Sequence, residues 1–360
     1  MRAITFVPGQ PQTLTVADVE EPKPGPDQAL LETIAIGICG TDRELLLGEH
    51  GSAPTGDAVL IPGHECLARV VSAPDGCGLS PGELVAPTVR RPCGKPECAP
   101  CAHGRPDMCV TLQYTERGIQ GADGYQCARF VESPRYLVPV PAALGRTGVL
   151  CEPTSVVAKA IHETLAVQRA RLVWEPKRAL VTGAGPVGLL AAMLLRLHHL
   201  DVTVYDRQPA DSGKARAALA LGAHYLESGR APLDKLSADG GYDWIVECTG
   251  APSVIFAVMT ALAPDGVLCL LGVSGGDAQL PVPGAEINMR LVLRNNLVLG
   301  SVNASREAFT QAVQALSAAE VHWPGWAAGL ITRAVDPQDI RSAVQSGPED
   351  VKVIVRWKDL

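Results

Sequence analysis

The chain has 360 residues and a formal net charge of −7, and 4% of its residues are aromatic. Its length exceeds that of a usual single domain, so we expect two domains, each large enough for its own core. The acidic balance and the scarcity of aromatic side chains argue against nucleic acid or an anionic membrane as partner, because both need a basic or base-stacking surface, and favour a small-molecule ligand.

The amino terminus and the cysteine content indicate the compartment. Residues 1–14 look strand-like and lack the basic region and apolar core of a signal peptide. The most apolar run, residues 179–197, is interrupted by glycines and Pro186, which favours a strand and a helix over a membrane span. Eleven cysteines, an odd number, fit metal-binding thiolates in a reducing compartment better than a disulfide framework. We therefore expect a soluble, cytoplasmic protein.

The first 150 residues or so form short β-rich segments between Pro and Gly turns, which predicts a compact, partly open β-barrel-like domain. Two motifs in it carry candidate metal ligands: GICGTD supplies Cys39, and PGHEC supplies His64 and Glu65. A third candidate, Glu152, precedes Pro153 at the start of a predicted helix. Each also has an ordinary structural interpretation, as a buried thiol, a turn histidine or a helix N-terminal acid.

Four further cysteines lie close together in one loop rich in Gly and Pro. Closely spaced thiolates can form a tetrahedral zinc site that has no open position, so we predict a structural metal site in this loop. Four unrelated loop thiols are the alternative, which the spacing disfavours. The predicted ligands are Cys93, Cys98, Cys101 and Cys109.

A glycine-rich turn joins a predicted strand to a predicted helix at residues 178–190, RALVTGAGPVGLL. Its GxGxxG pattern allows a tight turn, a close approach of the backbone to a pyrophosphate, and close packing of helix on strand. Asp206 ends the next predicted strand, where a carboxylate would hold ribose hydroxyls. The turn residues of this predicted dinucleotide site are Gly183, Gly185, Pro186, Val187 and Gly188.

Apolar strand-like runs alternate with helical stretches from about residue 173 to 305. The alternation predicts an α/β domain with a parallel, doubly wound sheet, and we assign residues 173–305 to this dinucleotide-binding Rossmann domain. Residues 1–172, completed by 306–360, form the predicted catalytic domain. The strand ends VECTG and LLGV fall at the edge where such sheets bind cofactors, which adds Gly272 and Val273 to the predicted site.

Taken in order, Cys39, His64, Glu65, the four-cysteine loop, Glu152 and GAGPVG resemble the zinc-containing medium-chain dehydrogenase family over nearly the whole chain. The resemblance implies a GroES-like catalytic domain beside the Rossmann domain. Finer motifs, GICGTDRE, RRPC, TERGI and SVNASREAF, resemble the glucose dehydrogenase branch known from archaea and some bacteria. They imply hydride transfer from C1 of an aldose to NAD or NADP, giving a lactone.

The resemblance also implies roles for individual residues. Thr41 would pass the substrate proton outward, although a turn-capping hydroxyl is an equally good interpretation. Asp42 would orient His64, because a ligating imidazole usually donates its other N–H to a carboxylate or carbonyl. The implied ligands of a catalytic zinc are Cys39 and His64 with Glu65 or Glu152.

Sugar and cofactor contacts follow from the same resemblance. Asp206 would accept from both ribose hydroxyls of NAD and repel the 2′-phosphate of NADP, whereas Arg207 could meet that phosphate, so we expect NAD to be preferred and NADP to be used as well. The implied sugar contacts are Glu116, Glu152 and Asn303, and the implied further cofactor contacts are Ser301, Val302 and Asn303.

The chain departs from the family pattern at three places. Four residues, GKPE, separate the first two loop cysteines, where the family usually has two. Val89 stands where these sugar dehydrogenases tend to have an asparagine, and Glu44 stands where related alcohol dehydrogenases often have a relay histidine. Two alternative functions are therefore kept: a polyol or secondary-alcohol dehydrogenase, and a zinc-knuckle regulatory or nucleic-acid-binding protein, which the acidity disfavours.

We also expect the chain to form a homo-oligomer, a dimer or a tetramer.

Overall fold

A computed structural model describes residues 1–233, 236, 240–277, 279–345 and 347–360 and divides the chain into two compact units. The first, the catalytic unit, comprises Met1–Ser155, Asn303–Glu320 and Ala327–Leu360. The second, the nucleotide-binding unit, comprises Val156–Val302 and Val321–Trp326. The sequence-based domain boundary lies at residue 172, whereas the units divide between Ser155 and Val156, inside a helix that runs to Arg171.

The elements are named here in chain order. Up to residue 171 they are β1 (Arg2–Val7), β2 (Gln10–Asp18), β3 (Ala29–Ile38), α1 (Gly40–Leu47), β4 (Glu65–Ser72), β5 (Leu84–Pro87), β6 (Arg90–Arg91), α2 (Ala99–Ala102), β7 (Thr115–Arg117), β8 (Gly121–Ala122), β9 (Arg129–Glu132), β10 (Leu137–Val140) and α3 (Cys151–Arg171). From 178 to 300 they are β11 (Arg178–Thr182), α4 (Pro186–Leu197), β12 (Asp201–Asp206), α5 (Gly213–Ala220), β13 (His224–Glu227), β14 (Tyr242–Glu247), α6 (Pro252–Val258), β15 (Leu262–Leu270), α7 (Gly284–Leu293) and β16 (Leu297–Gly300). The last are α8 (Arg306–His322), α9 (Trp326–Gly329), β17 (Ile331–Val335), α10 (Ile340–Ala343) and β18 (Lys352–Arg356).

A seven-stranded sheet forms the centre of the catalytic unit. Its order is β10-β5-β4-β3-β18-β17, and β9 also pairs with β3. Strand β3 is apolar along nearly its whole length and almost entirely buried, as expected for a strand covered on both faces. Strand β18, from the carboxyl end of the chain, lies antiparallel to β3 with Val353 opposite Ile38. The end of β3 and the start of β4 and β18 therefore meet at one place in this sheet.

The nucleotide-binding unit contains a six-stranded parallel sheet in the order β13-β12-β11-β14-β15-β16. All five strand pairs are parallel, and the order reverses between β11 and β14. This is the doubly wound Rossmann arrangement, whose ligands bind at the carboxyl ends of the strands near that reversal. The predicted parallel α/β sheet is confirmed. Within the described residues, no helix combines the length and the apolar character needed to cross a membrane.

Candidate functional site

Three of the predicted metal ligands converge where β3 ends and β4 begins. Cys39 is the N-cap residue of α1, and its Sγ atom lies 3.2 Å from Nε2 of His64. Donor atoms of Cys39, His64 and Glu65 all lie within 4.8 Å of one another. A Cβ atom on Gly37 would lie 2.0 Å from Oε2 of Glu65, so glycine is needed opposite this carboxylate. A thiolate, an imidazole and a carboxylate at this spacing form a donor set that fits zinc.

Asp42 lies behind His64 in the first turn of α1. Its Oδ2 atom accepts the backbone N–H of Cys39 at 2.9 Å, while Oδ1 lies 3.8 Å from Nδ1 of His64. Both of these facing atoms are buried and have no hydrogen-bond partner in the described part of the chain. Burial opposes a charged imidazole, but Cys39 and Asp42 together raise the pKa of His64 well above its usual value. The two orphaned atoms suit an imidazole that binds metal through Nε2 and turns Nδ1 toward a carboxylate.

Lys352 is a residue of this cluster that sequence reasoning missed. It starts β18, is 1% exposed, and places its Nζ atom 2.7 Å from Oε1 and 2.5 Å from Oε2 of Glu65. The same ammonium lies 3.3 Å from the carbonyl oxygen of Ile38. Burial disfavours the ammonium, but Glu65 outweighs burial and raises the pKa of Lys352. The only signal in the sequence is a lysine at the start of the apolar strand VKVIV.

Glu152 lies close enough to His64 for its charge to help raise the pKa of that imidazole, and Thr41 and Glu44 follow Cys39 on α1. Glu152 is buried in the first turn of α3, and burial is the main reason that its pKa rises to about 7. It is not a member of the metal-ligand cluster found among the described residues. Thr41 is half-buried in the first turn of α1. Glu44 is half-exposed and forms an ion pair with His50 at 3.1 Å.

The four loop cysteines form a second cluster. Their sulfur atoms all lie within 4.8 Å of one another, and those of Cys98 and Cys109 are 3.8 Å apart. This equals the edge of a tetrahedron whose centre is about 2.3 Å from each sulfur, the usual zinc–thiolate distance. Burial alone would raise the pKa of Cys109, but hydrogen bonds from Thr111, Cys101 and Cys93 lower it to about 6. The widened GKPE gap therefore does not prevent the thiols from converging, and the cluster fits a structural zinc ion.

The predicted sugar contacts Glu116 and Asn303 touch each other, although 187 residues separate them in sequence. Nδ2 of Asn303 donates to Oε1 of Glu116 at 2.8 Å. Asn303 has a positive φ of 60°, and its Oδ1 accepts the backbone N–H of Ala304. Arg90, which sequence reasoning did not select, donates from Nε to the same oxygen of Glu116 at 3.0 Å. Val89, beside Arg90, is buried and offers no hydrogen bond from its side chain.

The glycine-rich turn has the geometry that its sequence predicts. Gly183 has a φ of 92°, and a Cβ atom on Gly188 would lie 1.9 Å from the carbonyl oxygen of Gly183. Gly185 is the N-cap of α4, and Pro186 and Val187 begin that helix. The backbone N–H groups at the start of α4 can therefore face an anion. This turn lies at the carboxyl end of β11, beside the point where the strand order reverses.

Asp206 ends β12 and approaches this turn. Its Oδ2 accepts the backbone N–H of Ala184 at 2.7 Å, and its Oδ1 accepts that of Gln208 at 2.8 Å. Arg207 is exposed. Gly272 packs so closely that a Cβ atom would lie 2.1 Å from the nitrogen of Gly250, and the next residue, Val273, is 81% exposed.

Two residues of α3 hold the last predicted cofactor segment. Nζ of Lys159 donates to the carbonyl oxygen of Val302 at 2.8 Å, and Oγ of Ser301 donates to Oε2 of Glu163 at 3.4 Å. Lys159 is buried, and sequence reasoning did not select it, because a lysine in a helix usually faces solvent.

Comparison with known proteins gives matches over the whole chain. Residues 145–357 match the family model for the glucose dehydrogenase C-terminus, and residues 25–142 match that for the alcohol dehydrogenase GroES-like domain. The glucose 1-dehydrogenases of Methanocella arvoryzae and Thermoproteus tenax are 39% and 41% identical, each over 99% of both chains. The structure of Haloferax mediterranei glucose dehydrogenase in complex with NADP, Zn and gluconolactone superposes with a TM-score of 0.91, at 31% identity and full coverage of both chains.

Proposed function

The chain belongs to the glucose dehydrogenase branch of the zinc-containing medium-chain dehydrogenases, and from this premise we propose that it oxidises C1 of glucose or a similar aldose to a lactone, with NAD or NADP as hydride acceptor. One observation carries the proposal: the Cys39–His64–Glu65 cluster and the Glu116–Asn303 pair occur together in a chain 39–41% identical to glucose 1-dehydrogenases. A zinc-knuckle protein would need neither the pair nor the dinucleotide turn.

Cys39 and His64 would hold the catalytic zinc together with Glu65, and the mutual distances of their donor atoms, all within 4.8 Å, support this choice of carboxylate. When bound there, zinc supplies a Lewis acid that lowers the pKa of a substrate hydroxyl. Asp42 accepts the N–H of Cys39 and faces Nδ1 of His64, so it would hold the imidazole in the orientation that exposes Nε2. Lys352 balances the charge of Glu65 and keeps this carboxylate in place. Glu152 stays an alternative carboxylate: burial raises the pKa of this group to about 7, and a bound cation would stabilise the anion that burial disfavours.

Thr41 would accept the proton of the substrate hydroxyl and pass it outward. Thr41 lies in the first turn of α1, two residues after Cys39, and the residue is half-buried, a position that suits a proton relay between a metal site and solvent. Glu116 and Asn303 would hold hydroxyl groups of the sugar, the carboxylate as an acceptor and the amide as an acceptor or donor.

The nicotinamide dinucleotide would bind along the edge of the parallel sheet. The GAGPVG turn would receive its pyrophosphate, and Gly272, Val273, Ser301, Val302 and Asn303 would line the rest of its path. Asp206 would exchange its backbone partners for the two ribose hydroxyls of NAD, while Arg207, which is exposed, is free to reach a 2′-phosphate. We therefore propose that NAD is preferred over NADP.

We also propose that the chain forms a homo-oligomer, a dimer or a tetramer, and that it works in the cytoplasm.

The decisive experiment measures NAD and NADP reduction with a panel of aldoses, polyols and simple alcohols. We expect the highest kcat/KM with glucose or a close aldose, and a higher kcat/KM with NAD than with NADP. A polyol or secondary alcohol as best substrate would replace the proposed function by the alternative on the same scaffold. Higher efficiency with NADP would instead overturn only the role given to Asp206.

A further inference from the structure

Glu116 presents two unequal oxygen atoms. Oε1 accepts hydrogen bonds from Arg90 Nε at 3.0 Å and from Asn303 Nδ2 at 2.8 Å, and it also lies 3.0 Å from Arg90 Nη2. Oε2 receives no hydrogen bond from the residues that the structure describes. A carboxylate oxygen accepts about two hydrogen bonds, so Oε1 is saturated and Oε2 is the oxygen left to accept from a ligand.

Arg90 is itself fixed from three sides. It is 5% exposed, and its guanidinium lies 3.7 Å above the ring centre of Tyr114. Its Nη1 atom donates to the carbonyl oxygen of Asp107 at 3.1 Å. Strands β6 and β7 place Arg90 directly opposite Glu116. A buried guanidinium with this many contacts has few other conformations, so the oxygen that it holds is also fixed.

We propose that Arg90 is a positioning residue for the sugar: it fixes Glu116 through Oε1 so that Oε2 is aimed at a substrate hydroxyl. This inference rests on the proposed function and adds to it. A hydroxyl that donates to a fixed, ionised carboxylate forms a charge-assisted hydrogen bond without paying for the ordering of the side chain. Without Arg90, Glu116 would have to be ordered by the substrate itself, and the sugar would bind more weakly.

Arg91, the next residue, contacts other groups than Glu116, so the proposed role belongs to Arg90 alone. Adjacent residues of a strand point to opposite faces. Arg91 accordingly donates from Nη2 to Glu132 at 2.5 Å and to the hydroxyl of Tyr125 at 3.0 Å, with no hydrogen bond to Glu116. Arg91 is therefore a matched control: a partly buried, ion-paired arginine on the same strand, outside the predicted sugar site.

The experiment compares Arg90→Met, Glu116→Gln and the double variant with the parent by steady-state kinetics on glucose. Loss of a charge-assisted contact should raise the KM for glucose in Arg90→Met by roughly tenfold or more, with a much smaller change in the KM for NAD. Because Arg90 acts through Glu116, the double variant should have nearly the glucose KM of Glu116→Gln alone. Arg91→Met should change the KM values for glucose and NAD by similar, small factors.

Additive effects of the two substitutions, or equal effects of Arg90→Met and Arg91→Met on the glucose KM, would show that Arg90 is only structural and would overturn the inference.

Should Arg90→Met not fold, Arg90→Lys keeps the charge without the two-pronged contact. Its glucose KM should lie between those of the parent and Glu116→Gln, and a parental KM would also overturn the inference. A parent that oxidises no aldose overturns the proposed function, and the role of Arg90 falls with it. A parent that oxidises glucose, with an unchanged KM in Arg90→Met, overturns the role of Arg90 alone.

Discussion

Lys352 places a positive charge in the interior, beside the carboxylate of the candidate metal ligand Glu65. The cation and Glu65 are 1% and 3% exposed at their side chains, and 287 residues separate them in sequence. An ion pair this deep is retained because either partner alone would be a buried, uncompensated charge. The pair also reduces the negative charge around Cys39 to a level that one divalent cation can balance.

We predict that Lys352→Met lowers the free energy of unfolding by about 3–5 kcal/mol, because Glu65 would be left buried without its cation. Urea unfolding followed by circular dichroism measures the loss. The matched control is Lys358→Met, since Lys358 also pairs with a glutamate, Glu32, but is 55% exposed at its side chain. An exposed pair contributes about 0–1 kcal/mol. Equal losses in the two variants would contradict the importance given to the buried pair.

Individual residues differ in how far the sequence could predict them. Cys39, His64 and Glu65 were predicted because each stands in a short motif whose residue types already suit a metal. Lys352 and Arg90 were missed because their partners depend on which strands lie side by side. The strand pattern around Lys352 predicts a strand, but it does not say that this strand pairs with β3. The only hint for Lys352 is its place at the start of the apolar run VKVIV, and the only hint for Arg90 is the RRPC motif; neither pattern names a partner.

At the scale of elements, the turn between β11 and α4 could be predicted from sequence, because its geometry depends on neighbours a few residues away. The three glycines of this turn have different roles. Gly183 needs its positive φ, Gly188 packs directly on the carbonyl of Gly183, and a Cβ atom on Gly185 would meet no described atom within 4 Å. The space beside Gly185 is the space that a pyrophosphate would use.

This difference gives a prediction with its own control. Gly188→Ala should lower thermal stability, because its Cβ atom would lie 1.9 Å from a backbone oxygen and the helix would have to move. Gly185→Ala should keep the parental melting temperature and still weaken NADH binding, since only the cofactor needs that space. Differential scanning fluorimetry and a fluorescence titration with NADH test the two effects. Parental NADH affinity in Gly185→Ala would argue against a pyrophosphate at this turn.

The four-cysteine loop shows how a short element compensates for an unusual spacing. The GKPE insertion precedes Cys98, the N-cap residue of α2, and this one-turn helix carries Cys101 toward the other thiols. We predict that Cys98→Ser lowers thermal stability and releases one zinc ion per chain without changing the preferred sugar. A thermal melt, metal analysis by atomic emission and the substrate panel measure the stability, the zinc content and the sugar preference of this variant. The same zinc content in Cys98→Ser and the parent would show that this loop holds no metal.

In the whole molecule, the residues predicted to bind metal and sugar lie in one unit, and most of those predicted to bind the dinucleotide lie in the other. The metal cluster and the Glu116–Asn303 pair belong to the catalytic unit, and the glycine-rich turn and Asp206 belong to the nucleotide-binding unit. The strands of the nucleotide-binding unit are nearly contiguous in sequence and alternate with helices, so their parallel sheet could be predicted. The central sheet of the catalytic unit mixes strands from both ends of the chain, and a linear pattern does not contain that pairing.

This division predicts that metal and dinucleotide can be lost separately. Cys39→Ser or His64→Ala should abolish glucose oxidation, because each removes a soft or borderline ligand that zinc requires. Both variants should bind NADH with nearly the parental dissociation constant, since each residue of the glycine-rich turn and Asp206 is untouched in the other unit. Fluorescence titration with NADH and zinc analysis test this on the same samples. If one zinc per chain is retained, it is the ion that we expect the four loop cysteines to bind. If either variant kept near-parental turnover after losing one zinc, the zinc-dependent mechanism would be wrong.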